Sequence, residues 1–419
     1  MTIFEVVEIC AGAGGQALGL EQAGFSHALA VELDANAAGT LRANRPEWKV
    51  VCGDVADEDL WNPDDYHGVD LLAGGVPCPP FSIAGKQLGA NDERDLFAWA
   101  VELAGRMQPR ALMLENVRGL STPRFSAYRQ HVLDRLAKLG YVGDWRLLQA
   151  SDFGVPQLRS RFVLVALRPQ DARYFAWPEP TLTAETVGTV LRHLMASAGW
   201  PHLDAWVDLA CDIAPTIVGG SKKHGGADLG PTRAKRAWAE LGVDALGLAD
   251  APPAGDWPHP GIRKPMLTVE MIALLQGWED DWKWTFTGRK TARYRQVGNA
   301  FPPPVAKAVG EAVIRALRHG GTPRELPELA EPTLHDGVYR ALRNANGHLT
   351  IDSIIARLDE PCDVQAIERR LAYLAKDFVI EVKDTSRGPR YRLGDFRAFV
   401  GQQNHHRHEY MELYRSMVS

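Results

Sequence analysis

The sequence predicts an α/β fold of the Rossmann-like, doubly wound kind, followed by a small loop-rich domain and a helical tail. Three observations predict it. Through about residue 167, short apolar runs alternate with amphipathic helical patterns, as in a parallel sheet wound by crossover helices. At Arg168 that rhythm stops, and Pro, Gly and Trp become frequent. After a Pro-marked linker at 320–332, three helical patterns and a hairpin take over.

Taken in order, strands are expected at Phe4–Cys10, His27–Val31, Trp48–Cys52, Val69–Ala73, Ala111–Leu114, Tyr141–Leu148 and Phe162–Leu167. Helices are expected at Gln16–Ala23, Ala35–Asn44, Asp95–Arg106 and Ser126–Leu139. The resulting organisation is a first domain at 1–167, a second at 168–290, a segment returning to the first at 291–319, the linker, and a tail domain at 333–419. The helical pattern Pro304–Arg318 carries the return.

Composition narrows the class. The chain has 419 residues, 45% hydrophobic and 24% charged, with a formal net charge of −5, so any nucleic-acid surface is a local patch. No run is long and apolar enough for a membrane span, and no signal peptide is expected from Met1-Thr2-Ile3-Phe4-Glu5-Val6-Val7. The cysteines, Cys10, Cys52, Cys78, Cys211 and Cys362, are odd in number and scattered without a C-x-x-C pair. That fits a reducing compartment and speaks against a disulfide framework or a metal site.

The first strand runs into Ala11-Gly12-Ala13-Gly14-Gly15 and then a helix. Glycines there permit a tight turn and let a ligand approach the backbone at a helix start. Glu32 ends the second strand, where an acid commonly binds ribose hydroxyls. Asp54 and Val55 follow the third strand, where a side-chain acceptor can meet an adenine amino group. The loop reads G-x-G-G and lacks the dinucleotide fingerprint, which favours a nucleoside ligand such as S-adenosylmethionine over NAD.

Pro77-Cys78-Pro79-Pro80-Phe81-Ser82 follows the apolar run Val69–Val76. Prolines stiffen a loop at a strand end, a place for a nucleophile rather than a core thiol. Glu115 closes the strand ending Leu114-Glu115-Asn116-Val117, at the ligand crevice of a doubly wound sheet. Gln157-Leu158-Arg159-Ser160-Arg161 opens another strand, its alternate arginines on one side. Gln296-Val297-Gly298-Asn299-Ala300 precedes the returning helix.

With these pieces in this order, the chain resembles the DNA (cytosine-5)-methyltransferase family over about residues 3–318. The resemblance implies a class I methyltransferase domain, a target-recognition domain at 168–290, S-adenosylmethionine as cofactor and duplex DNA as substrate. Cys78 is then the nucleophile for cytosine C6, Glu115 the donor at N3, and Arg161 the group on the base carbonyl, with Arg159 a lesser catalytic candidate that braces the loop or binds phosphate. A water takes the C5 proton before Cys78 leaves. The target cytosine must leave the helix stack for this chemistry. Cofactor contacts fall to Ala11, Gly12, Gly14, Gly15, Glu32, Leu33, Asp54, Val55, Pro77 and Asn299. The chain departs from frequent family choices at Cys10 and Leu33, beside the adenine, and at Pro79 and Ala84.

In the recognition region, Thr216–Arg236 sets Lys222, Lys223, His224 and Arg233 among glycines, and with Ser82 these are the DNA-binding candidates. Met266–Trp278 resembles the segment that organises this domain. The tail pattern, helices at His335–Ala345, Thr350–Leu358 and Val364–Lys376 and strands at Phe378–Lys383 and Arg390–Leu393, suggests a winged helix-turn-helix. Its arginines Arg369, Arg370, Arg387 and Arg390 are placed for DNA contact, and a dimer through this domain is the other use of such a module. The reading implies a bacterial modification enzyme in the cytoplasm at the nucleoid, in a restriction-modification system with an endonuclease partner or as an orphan. Two alternatives remain at this point: a tRNA cytosine-5 methyltransferase on the same scaffold, and a catalytically idle DNA-binding regulator.

Overall fold

The computed structural model describes residues 3–76, 96–180, 183–219, 227–279, 282–326, 337–375, 378–386 and 388–396. Internal contacts divide the chain into two compact units. One holds Met1–Gly75, Met107–Glu115 and Trp145–Arg324; the other holds Val76–Arg106, Asn116–Asp144 and Glu325–Ser419.

Seven strands form one sheet: β1 Phe4–Ile9, β2 Phe25–Glu32, β3 Val50–Cys52, β4 Leu71–Gly75, β5 Ala111–Val117, β6 Val142–Gln149 and β7 Ser160–Leu167. Their order is β3-β2-β1-β4-β5-β7-β6. The pairs β1–β2, β1–β4, β2–β3 and β4–β5 are parallel. Strand order therefore reverses between β1 and β4. In this kind of sheet ligands bind beyond the carboxyl ends of the strands at such a reversal. The expected strands all form. Trp48, read as the first residue of the third strand, lies before it and stacks on the His27 ring with centroids 4.0 Å apart.

In the first unit, α1 Gly15–Ala23 and α2 Ala35–Asn44 follow β1 and β2. A long way along the chain, α11 Pro303–Leu317 packs on α1. The crossing is close because both helices offer glycine. A side chain at Gly19 would meet the Pro303 carbonyl at 2.4 Å, and one at Gly310 would meet Ala23 Cβ at 2.8 Å. The stretch 168–290, read from sequence as loop-rich, carries five short helices: α5 Pro169–Ala172, α6 Val187–Ala196, α7 Leu203–Leu209, α8 Thr232–Glu240 and α9 Val269–Leu275. Helices α6 to α9 surround a core of Leu191, Trp206, Trp238 and Ile272, to which Tyr294 and Val297 of α10 Lys290–Asn299 contribute. Helix α10 was not expected; its sequence is mostly polar, and only four of its residues are buried.

The second unit holds α3 Leu96–Met107 and α4 Ser126–Lys138, with α12 Gly337–Arg343, α13 Ile351–Ile355, α14 Val364–Leu374 and the antiparallel pair β8 Phe378–Thr385 and β9 Gly388–Phe396. The three tail helices are shorter than expected and the hairpin strands longer. A single bridge joins Leu349 to Tyr391. The tail packs on α4: the Tyr339 hydroxyl donates to Asp134 Oδ2 at 3.0 Å, Arg343 lies 3.2 Å from the same oxygen, and Phe378 meets the His131 ring edge-on. Of the tail arginines, Arg370 pairs with Glu360, Arg369 is exposed, and Arg387 lies outside the described residues. No helix among the described residues is long and apolar enough to cross a membrane.

Candidate active site and cofactor crevice

The turn after β1 is built on positive backbone angles at Cys10 (φ 51°), Gly12 (φ 58°) and Gly14 (φ 92°). The glycines differ in what surrounds them. A side chain at Gly14 would strike Trp284 at 2.5 Å, and one at Gly15 would strike the Phe301 carbonyl at 2.3 Å, so both are glycine for packing. At Gly12 a Cβ would meet nothing within 4 Å, so the loop is open there. Trp284, which sequence reasoning missed, holds the loop from outside by donating Nε1 to the Ala13 carbonyl at 3.0 Å. No local pattern announces a contact between residues so far apart in the chain.

Glu32 closes the crevice beside this turn. Its Oε2 accepts from Gly12 N and its Oε1 from Asp34 N, each at 2.7 Å. Burial pushes the carboxyl above its ordinary range, and these amide bonds oppose the shift. Asp34, not Glu32, caps α2, accepting from Asn36 N and Ala37 N. Leu33 stands 47% exposed between them. The end of β3 is tied in through Gly53 N to the Glu32 carbonyl at 3.0 Å, and Asp54 follows, its Oδ1 accepting from Ala56 N. Ala11 and Val55 are buried, and the Val55 carbonyl accepts from Trp61 Nε1.

Glu115 and Arg161 come together as expected. Glu115 pairs in register with Gly75, the last residue of β4, and Arg161 is the second residue of β7. Arg161 Nε lies 2.6 Å from Glu115 Oε1, with both side chains about 10% exposed. Their N–H is not aligned for a hydrogen bond, so the contact is an ion pair. Burial raises the Glu115 carboxyl, and the nearby Arg161 and Arg159 charges pull it back. A carboxyl so placed holds a proton above the pH at which an exposed one has lost it. Within the second unit, Asn116 Nδ2 reaches the Val76 carbonyl at 3.4 Å.

Arg159 takes a different part. It is 1% exposed, and its guanidinium donates to the carbonyls of Ile217 at 2.7 Å, Gly298 at 3.0 Å and Ala300 at 2.8 Å. Gln157 Oε1 accepts from Ile217 N at 2.9 Å, and Gln276 Nε2 donates to the Ala300 carbonyl at 2.8 Å. Three distant stretches of chain are thus held at one point. Gly219 and Gly298 pass so closely that a side chain on Gly298 would meet Gly219 Cα at 2.5 Å. Asn299 is exposed at the end of α10, and Arg233 is exposed near the start of α8. Pro77, Cys78, Ser82, Lys222, Lys223 and His224 lie outside the described residues. Among the described residues no cluster of side chains is fit to hold a metal ion.

Residues 4–315 match the model of the C-5 cytosine-specific DNA methylase family. The chain is 61% identical over 422 aligned positions to the Type II methyltransferase M.NaeI of Lentzea aerocolonigenes, covering all of both proteins. It is 50% identical to the Type II methyltransferase M.NgoMIV of Neisseria gonorrhoeae, with 75% of this chain matching 98% of that one. Among solved structures, the Entamoeba histolytica methyltransferase EhMeth superposes with a TM-score of 0.50 at 14% identity, over 76% of this chain and 99% of that one, and shares the fold.

Proposed function

The chain belongs to the C-5 cytosine-specific DNA methylase family, and from that premise we propose that it methylates C5 of a cytosine flipped from a specific duplex DNA sequence, in a Type II restriction-modification system. The buried Glu115–Arg161 pair at the carboxyl edge of the sheet carries the reading. The names of the relatives at 61% and 50% identity support the system. A cognate endonuclease is the partner this reading implies.

The crevice fits S-adenosylmethionine. Gly12 leaves its approach open, Glu32 is fixed by two amides with lone pairs left for ribose hydroxyls, and exposed Leu33 offers an apolar surface for the base. Ala11, Asp54, Val55 and Asn299 complete the proposed contacts, with Gly14 and Gly15 shaping the loop and Pro77 at the edge. When bound, this cofactor supplies an electrophilic methyl group.

The protein's own groups prepare the base. Cys78 follows Gly75, the last residue of β4, by three residues in the sequence. Its thiolate adds to cytosine C6, and the electron pair of the C5–C6 double bond moves into the ring toward N3 and the base carbonyl. Glu115 gives its proton to N3, and Arg161 stabilises the negative charge on the carbonyl oxygen. The adduct is an enamine with a nucleophilic C5. After methylation a water takes the C5 proton, the C5–C6 double bond re-forms as Cys78 leaves as thiolate, and N3 returns its proton to Glu115.

Bisulfite sequencing of DNA from cells expressing the protein identifies the target. A duplex carrying 5-fluorocytosine at that position then traps the wild-type enzyme as a covalent adduct, and Cys78→Ser forms none. No adduct on any such duplex overturns the proposal.

The tail lies beyond the family match at 4–315. Its order of helix, bridge, two helices and hairpin supports a winged helix-turn-helix reading, with Arg369 and Arg390 as DNA contacts. A Type II methyltransferase half identical to this chain is matched almost end to end by three quarters of it, so the tail is an accessory in this reading.

A further inference from the structure

We propose that Trp284 is a positioning residue for the methyl donor: it fixes the turn after β1 in the shape that receives S-adenosylmethionine. The proposal rests on the assignment of that turn and of Glu32 to the cofactor.

The turn Ala11-Gly12-Ala13-Gly14 takes positive backbone angles at Gly12 and Gly14, and two glycines by themselves prescribe no one shape. Trp284 supplies two restraints from outside. Its Nε1 donates to the Ala13 carbonyl at 3.0 Å, and its indole lies against Gly14, where a Cβ would meet Cζ2 at 2.5 Å. Ala13 is 2% exposed, so its carbonyl has little water to turn to if that bond is lost. One residue back, Gly12 gives its amide to Glu32 Oε2 at 2.7 Å. A shift of the turn therefore moves the amide that orients the carboxylate placed for ribose hydroxyls.

Trp284 is itself held. Arg45, bound to both oxygens of Glu21 at 2.7 and 2.6 Å, places its guanidinium 5.2 Å from the indole ring centre. The next residue along is paired both ways with Asn44 of α2: Thr285 N donates to Asn44 Oδ1, and Asn44 Nδ2 donates to the Thr285 carbonyl, each at 2.8 Å. Thr287 donates its amide to Thr40 Oγ1 at 2.8 Å and its hydroxyl to the Asn36 carbonyl at 2.7 Å. Gln296 of α10 closes the network, accepting from Thr40 Oγ1 at 2.6 Å and donating to the Thr287 carbonyl at 2.8 Å. Residues 284–287 belong to no helix or strand. Their backbone groups are met instead by side chains of α2 and α10, which hold the indole at one place beside the turn.

Trp284→Phe keeps a ring near Arg45 and removes both the N–H and the outer ring against Gly14. In the full-length protein without DNA, Kd for S-adenosylmethionine is expected to rise about tenfold, the scale of one lost hydrogen bond. KM for the cofactor rises with it. kcat at saturating cofactor and KM for the bisulfite-mapped duplex stay within about twofold of wild type. Asn44→Ala leaves Trp284 intact and frees the stretch behind it, so Kd is expected to rise about threefold. Unchanged Kd in both variants overturns the proposal, whatever happens to the urea midpoint. So does a fall in kcat joined to a rise in KM for DNA, the mark of a general disturbance. If Trp284→Phe does not fold, Asn44→Ala decides by the same Kd: a rise supports the role and no change overturns it. The cofactor reading fails in a different way. A wild type that does not bind S-adenosylmethionine removes that reading and the positioning role together. A wild type that binds it, loses it in Glu32→Ala and keeps it in both Trp284→Phe and Asn44→Ala removes the positioning role alone.

Discussion

Arg159 and Arg161 are two residues apart and both buried, yet the regions they serve are built on opposite principles. Around Arg159, one guanidinium is given to three backbone carbonyls from distant stretches of chain. Around Arg161, the guanidinium faces a carboxylate and gives one bond to the Ser160 carbonyl. Burial pulls both below the ordinary arginine range; for Arg161 the Glu115 charge opposes it. In the first region the desolvation of a cation is offset by bonds to fixed dipoles, each worth about 1.5–3 kcal/mol. In the second, two charges offset one another, an arrangement that gives little net stability but leaves a carboxyl able to change its proton. The first region is architecture; in the proposed function the second is the place for chemistry.

The largest effect that can break this division is at Glu115. Glu115→Gln keeps the shape and removes the transferable proton, so kcat should fall by about 10²–10⁴, the range for a general acid. Unfolding in urea should change far less. The pH dependence has a definite sign. Burial raises the carboxyl above 4.5, so its protonated form persists above that pH and is lost as pH rises through the raised value. kcat of the wild type should therefore decline on the alkaline side, and the variant should lack that limb. A variant with normal kcat would return the pair to architecture.

Arg159→Met tests the opposite region. It strands the carbonyls of Ile217 and Gly298, while Ala300 keeps its bond from Gln276, which should cost about 2–5 kcal/mol of unfolding free energy. At a temperature where the protein stays folded, KM for DNA should rise while kcat moves only a few-fold. A collapse of kcat with unchanged stability would make Arg159 a catalytic residue after all.

The two regions were not equally legible in the sequence. Glu115 and Arg161 stand at the ends of apolar runs, so a strand pattern with period two already places them at one edge of a sheet. The strands themselves were legible for the same reason: Ala111 to Leu114 is an uninterrupted apolar run, and it is fully buried. The role of Arg159 was not, because its partners are carbonyls of Ile217, Gly298 and Ala300, and backbone atoms leave no mark on residue identity. Tyr294 and Trp284 were missed on the same grounds: each reaches a carbonyl far along the chain. Helix α10 was missed because Lys290–Asn299 is mostly polar and its buried face is short. Four-residue α5 falls below the length at which a 3.6-residue period can be seen.

A buried base in the second unit sharpens the comparison with a smaller effect. His131 of α4 meets Phe378 of β8 edge-on at 5.3 Å. Burial, reinforced by the charges of Lys138, Arg135 and Arg343, pushes its pKa down to about 3 from 6.5. Asp134, one turn along, is engaged by Tyr339, Arg343 and Gln130. The folded protein thus binds this proton more weakly than the unfolded chain. The contribution is whole above pH 6.5 and is lost as pH falls from 6.5 toward 3, at about 1.4 kcal/mol per pH unit. By pH 5 the loss is about 2 kcal/mol. Urea unfolding of wild type and His131→Leu at pH 7, 6 and 5 reads the difference. Leucine keeps an apolar contact with Phe378 and cannot titrate, so the gap between the two proteins should shift in favour of the variant as pH falls. Parallel losses in both would mean that the acid sensitivity of this unit is set by groups other than His131.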